Sequence, residues 1–181
     1  MIVLVGESAS GKSTVERELC NLYDYKHIIS YTTRPLRKDE KQDVNYHFIS
    51  EDKFLELKNK DFFAEYTKYR DWYYGTAKED CSVDKIIVAN PHGLRQLRKI
   101  FQTDVKAFYL KVSERERLIR IIKRGDDIFE CFRRIFSDQG VFQNIEEDCD
   151  HVIYCDGLTP KEIAERIYKE VTNNEKINFG M

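Results

Sequence analysis

Ile2-Val3-Leu4-Val5-Gly6-Glu7-Ser8-Ala9-Ser10-Gly11-Lys12-Ser13-Thr14 decides the fold. Its four leading apolar residues show no polar alternation, as a strand covered on both faces requires. Val15, Leu19 and Leu22 then recur at helical spacing, which predicts a helix over 14–22. Between strand and helix, Gly6 to Ser13 matches G-x-x-x-x-G-K-[ST]. Successive N–H groups of such a loop, with the helix N-terminus, form a concave positive seat for phosphate oxygens, and glycine lets those oxygens approach. The candidate phosphate contacts are Gly6, Ser8, Ala9, Ser10, Gly11, Lys12, Ser13 and Thr14. Lys12 is suited to the β and γ oxygens of a nucleoside triphosphate. The Ser13 hydroxyl suits Mg²⁺, a hard ion that needs few protein ligands.

Outward from this unit, short apolar runs at Ile28 and Ile29, Ile86 to Ala89, Val105 to Leu110 and Val152 to Tyr154 read as further buried parallel strands. Helical patterns separate most of them. Ser113 with Glu116, and Thr159 with Pro160 and Glu162, have the spacing of helix starts. Strand and helix alternate, so the class is α/β, with a parallel five-stranded sheet flanked by helices. Residues 32–79 depart from this rhythm. They are rich in Tyr, Phe and charge, carry one helical stretch from Glu51 to Lys58, and otherwise read as short strands and turns inserted into the core. The polar end, 172–181, reads as frayed.

At 181 residues the chain fits one domain. Charged residues make up 34% of it, yet the formal net charge is only −2, so no global field points to nucleic acid or a membrane surface, and any anion site must be local. The N-terminus has no basic leader, and five scattered cysteines without a C-x-x-C fit reduced thiols in the cytoplasm.

Downstream of the phosphate loop come Ser30-Tyr31-Thr32-Thr33-Arg34-Pro35-Leu36-Arg37, Asn45-Tyr46-His47-Phe48, Phe63-Ala64-Glu65-Tyr66 and Tyr73-Tyr74-Gly75-Thr76. In that order and spacing the chain closely resembles guanylate kinase over nearly its whole length. The resemblance implies phosphorylation of GMP by ATP with Mg²⁺. It divides the chain into a core (1–31, 80–112 and 141–172), an acceptor-binding lobe (32–79) and a helical lid (113–140). It also implies that Arg34, Arg37, Tyr46 and Tyr74 bind the GMP phosphate. Ser30, Glu65 and Thr76, with Gly75 beside them, would hold the guanine. The residues agree with this on their own chemistry: guanidinium forks suit a dianionic phosphate, and a carboxylate can accept from both N1–H and N2–H₂ of guanine. In the lid, Arg120, Arg124 and Arg134 match arginines that reach the phosphates of both nucleotides. Lys12 and these three arginines are the candidate catalytic residues, while Arg115, Arg117 and Arg133 read equally well as a solvated basic face. Small nucleotides are the expected partners, to a monomer or homodimer.

The departure from the family pattern lies at Val88-Ala89-Asn90-Pro91-His92-Gly93, where the family carries D-x-D-x-Q-G. Both carboxylates are gone. Asn90 retains an amide oxygen for a metal-bound water but supplies no charge, and Val88 supplies no hydrogen bond. This keeps two alternatives open: a kinase of another nucleoside monophosphate or a sugar phosphate, or a binding module of the same fold. Cys155, where the family often has Asn, bears on the donor base, and Asp39 replaces a usual glycine.

Overall fold

A computed structural model describes residues 1–178 apart from Asp39 and Asp126; the side chains of Arg124, Ile128, Glu130 and residues 174–178 are also outside the described set. The chain opens with β1 (Ile2–Val5), the phosphate loop and α1 (Lys12–Leu22), then β2 (Lys26–His27). The insertion holds β3 (Tyr31–Thr32), β4 (His47–Phe48), α2 (Glu51–Asn59), β5 (Phe63–Tyr69) and β6 (Trp72–Ala77). Then come β7 (Lys85–Val88), α3 (Pro91–Phe101), β8 (Lys106–Lys111), α4 (Glu114–Arg124), α5 (Ile128–Asp138), α6 (Ile145–Asp148), β9 (His151–Tyr154) and α7 (Pro160–Asn178).

Five strands form an all-parallel sheet in the order β2-β7-β1-β8-β9, so the phosphate loop leaves its central strand. Both faces of that sheet are covered, which is why β1 is apolar without alternation. Val3, Val5, Ile87, Ala107 and Tyr109 pack with Leu94 and Leu97 of α3 on one side. Ile2, Leu4, Ile86, Phe108 and Leu110 pack with Val15, Leu19, Ile163 and Ile167 of α1 and α7 on the other.

The inserted strands form a second sheet, β4-β3-β6-β5, whose β3–β6 and β5–β6 pairs are antiparallel. Gln96 of α3 pins it to the core. Its side-chain amide accepts from the Tyr66 N–H at 3.1 Å and donates to the Tyr66 carbonyl at 2.9 Å, extending the ladder across an element boundary.

Several boundaries differ from the sequence reading. The strand expected at Ile28 and Ile29 is β2, two residues earlier, and its pairing continues through a bond from Ile28 N–H to the Ile86 carbonyl. Residues 172–178 are helical rather than frayed, because no Gly or Pro interrupts α7 before Gly180. The lid pattern is two helices, broken at Gly125, whose φ of 72° closes α4. Both helix starts expected from spacing are made. Ser113 accepts from Glu116 N–H, and Thr159 and Glu162 bond reciprocally.

Candidate active site

The phosphate loop is a tight turn fixed by its own sequence. A Cβ on Gly6 would lie 2.7 Å from Ser10 Oγ and 2.9 Å from the Leu110 carbonyl, so only glycine fits. Ala9 and Gly11 both adopt left-handed backbone, with φ of 63° and 96°. Lys12 folds back on the loop, its Nζ donating to the Gly6 carbonyl at 2.6 Å and the Glu7 carbonyl at 2.9 Å. Burial pulls its ammonium down to about 8, opposed by the charges of Asp138 and Glu7. Ser13 and Thr14 stand exposed in the first turn of α1.

Two cavities meet at this loop. One, of about 280 Å³, is lined by Ser8, Ala9, Lys12, Ser13 and Arg134 among others. The other, of about 400 Å³, lies towards the insertion, among Ser30, Tyr46, Glu65, Tyr74, Asn90 and Asp138. Ser8 and Lys12 line both. A third cavity, of about 480 Å³, shares Ala9, Gly11 and Thr14 of the loop and lies between Arg120 and Leu158 to Pro160.

The predicted base contacts come together. Thr76 Oγ1 donates to Glu65 Oε1 at 2.7 Å, and Ser30 Oγ lies 3.3 Å from Thr76 Oγ1. Glu65 is only 8% exposed, and burial raises its carboxyl to about 7 against the Thr76 bond. Gly75 is buried next to Thr76 in β6, with Phe54 and Phe63 where a side chain would stand. Sequence reasoning missed Gly93, whose Cβ would fall 2.9 Å from Glu65 Oε2. A glycine in the first turn of a helix is the signal that was available.

The phosphate-side residues cluster as well, with one unforeseen partner. Arg34 is buried, and Glu40 grips its fork through Nη1 at 2.9 Å and Nη2 at 2.7 Å. Arg34 Nη1 also donates to the Pro35 carbonyl, and the guanidinium sits 5.6 Å from the Tyr46 ring. Glu40 raises the Arg34 pKa further, with Tyr74 adding to it. Arg37 is exposed, and its backbone N–H is held by the same Glu40. Tyr46 and Tyr74 lie edge to face.

From α4, Arg120 Nη1 donates to the Ser10 carbonyl at 2.9 Å and its Nε to Glu116 at 3.2 Å. Arg134 lines the smaller cavity beside Lys12 and Ser13. The Arg124 side chain lies outside the described residues, as does Asp39. The solvated-face reading fails for Arg117, which is only 8% exposed because it turns inward towards Ser8 and Asp138. Arg133 donates to Tyr69 Oη at 3.1 Å, joining α5 to the insertion, while Arg115 is exposed. Asn90 caps α3, its Oδ1 accepting from Gly93 N–H at 2.8 Å, and His92 is exposed. Cys155 is buried with its Sγ on the Ile153 carbonyl, so its side chain faces the core.

A parallel sheet with a phosphate loop on its central strand, an inserted sheet with a buried carboxylate, and arginine-bearing helices over both cavities define a P-loop phosphotransferase of small phosphorylated acceptors. A family model for "Guanylate kinase" matches residues 1–171. The guanylate kinase of Clostridioides difficile (strain 630) is 32% identical over 179 residues, 94% of this chain and 87% of that protein. That of Pseudoalteromonas translucida (strain TAC 125) is 35% identical over 134 residues, 70% of this chain and 65% of that protein. The crystal structure of guanylate kinase from Anaplasma phagocytophilum superposes with a TM-score of 0.71 over 96% of this chain and 85% of that one, at 22% identity. The chain belongs to the guanylate kinase family and is a nucleoside monophosphate kinase. Among the described residues, no helix is long and apolar enough to cross a membrane.

Proposed function

We propose that this chain transfers the γ-phosphoryl group of ATP to GMP, giving ADP and GDP, in the cytoplasm. The observation that carries the choice of acceptor is the buried Glu65 carboxylate, aligned by Thr76 and Ser30 in the cavity that continues to Ser8 and Lys12. Its two oxygens match N1–H and N2–H₂ of guanine, whereas adenine leaves the buried carboxylate unpaired, a mismatch that costs large factors in specificity.

The acceptor phosphate is bound by Arg34, Arg37, Tyr46 and Tyr74. Glu40 and the Pro35 carbonyl take three of the five N–H groups of Arg34, leaving Nε–H and one Nη2–H to Tyr74 and the phosphate. The donor phosphates lie on the loop, where Lys12 leaves the loop carbonyls for the β and γ oxygens. Arg120, Arg124 and Arg134 bring positive charge over the transferred group and exclude water, the two contributions that phosphoryl transfer most needs. Hydroxyl and amide oxygens, Ser13 Oγ and Asn90 Oδ1, are hard donors that fit Mg²⁺ with its own waters. When bound, Mg²⁺ neutralises charge on the donor phosphates.

The test is ADP release with ATP and Mg²⁺ against GMP, dGMP, AMP, UMP, CMP and ribose phosphates. Turnover confined to guanine nucleotides is expected. Turnover only with another acceptor would make Val88 and Asn90 the mark of a changed substrate, and GMP binding without turnover would make the chain a binding module.

A further inference from the structure

The contact that the family reading leaves unexplained joins the lid to the phosphate loop. Asp138, the last residue of α5, accepts from Ser8 N–H at 2.7 Å through its Oδ2. Arg117 Nη1 lies 3.9 Å from the same oxygen and 3.5 Å from the Ser8 carbonyl, so one guanidinium clamps both partners. A carboxylate at a helix C-terminus faces the negative end of the helix dipole, and the last turn of α5 offers no basic residue to offset it. Its place is therefore set by the loop and not by its own helix. Ser8 and Lys12 are the residues common to the donor-side and acceptor-side cavities, so the Ser8–Asp138 contact lies where the two cavities meet.

We propose that Asp138 is a positioning residue that stands in for the transferred phosphoryl group: its carboxylate holds the Ser8 N–H, and the terminal phosphate of the donor takes that N–H from it. Both are anions presenting oxygen to the same amide, so they compete. Lid position is thereby tied to phosphate occupancy, because the group displaced is the end of α5. Arg117 keeps the released carboxylate within the site. The proposal rests on the loop being a nucleotide phosphate site, and the experiment separates the two.

Binding of inorganic tripolyphosphate, which has no base or ribose, is measured by calorimetry for the wild-type chain and for Asp138→Asn and Asp138→Ala. Removing the competing charge-assisted bond is expected to tighten binding about tenfold in both variants. Unchanged or weaker binding in both, with the wild type binding, overturns the role of Asp138 and leaves the loop assignment standing. No binding in any of the three overturns both. The Ser8 amide proton supplies a second readout: it is expected to move upfield in Asp138→Ala, and an unmoved resonance would refute the contact itself.

Discussion

Burial raises the Glu65 carboxyl to about 7, so in the folded chain it ionises well above an unfolded glutamic acid. Below the unfolded value, 4.5, it is protonated in both states. Between 4.5 and about 7 only the unfolded chain ionises it, so stability falls through that window and then levels. Glu65→Gln is therefore expected to exceed the wild type in stability at pH 8 by a few kcal/mol, with the gap closing towards pH 4.5, as chemical denaturation at stepped pH will read. Guanine favours the ionised form through its N1–H, so GMP binding near pH 6 is expected to release about one proton more from the wild type than from Glu65→Gln. Calorimetry in buffers of different ionisation enthalpy measures that difference. Gly93 makes a companion case. Gly93→Ala improves the helix by roughly 0.5–1 kcal/mol yet pushes a methyl group against Glu65 Oε2, so the KM for GMP is expected to rise with the KM for ATP unchanged.

At the scale of elements, α3 does two jobs. Its Gln96 carries β5, and so Glu65, into register with the core, while its N-terminus holds the stretch in which the family carboxylates are replaced. Asn90 stands there as a helix cap, bonded to Gly93 N–H, with Pro91 at the first helical position. Asp caps as well as Asn, so capping does not explain the lost charge. Asn90→Ala is expected to cost about 1 kcal/mol of stability, and Asn90→Asp about none. The Asp variant adds a carboxylate to the acceptor-side cavity that continues to Ser8 and Lys12, so Mg²⁺ is expected to strengthen its binding of ADP more than it does for the wild type. Equal Mg²⁺ enhancement in both proteins would place the metal out of reach of residue 90. The α4–α5 pair is tied to the loop and the insertion at three points, Arg120 to Ser10, Asp138 to Ser8 and Arg133 to Tyr69.

For the whole molecule, the cavities proposed for donor and acceptor meet at Ser8 and Lys12 but are otherwise lined by different residues, so each ligand is expected to stabilise the fold through its own contacts. GMP at a hundredfold excess over its Kd contributes about 2.7 kcal/mol, which for a chain of this size raises Tm by roughly 5–10 °C. ADP is expected to add a separate increment. Glu65→Ala should lose the GMP shift and keep the ADP shift, and Lys12→Ala the reverse. Loss of both shifts in one variant would mean a damaged fold rather than a damaged site. Lys12→Ala is further expected to lower kcat at least about a hundredfold.

The sequence by itself determined the α/β class, the buried strand β1 and the phosphate loop, because apolar runs, helical spacing and a glycine-lysine motif act over a few neighbouring residues, whereas the central place of β1 in the sheet came from the strand order. It also brought Ser30, Glu65 and Thr76 forward as one group, though only through a pattern spread across 46 positions. The partners that turn these residues into a site came from tertiary structure alone. Glu40 on Arg34, Gly93 against Glu65, Gln96 on Tyr66 and Asp138 on Ser8 are hydrogen bonds or close approaches between separate turns of the chain. No local periodicity records them, because a side chain's partner across space is fixed by how sheets and helices pack. Arg117 shows the limit most plainly. Its spacing on α4 fits a wet basic face, and only packing against the phosphate loop makes it a buried clamp.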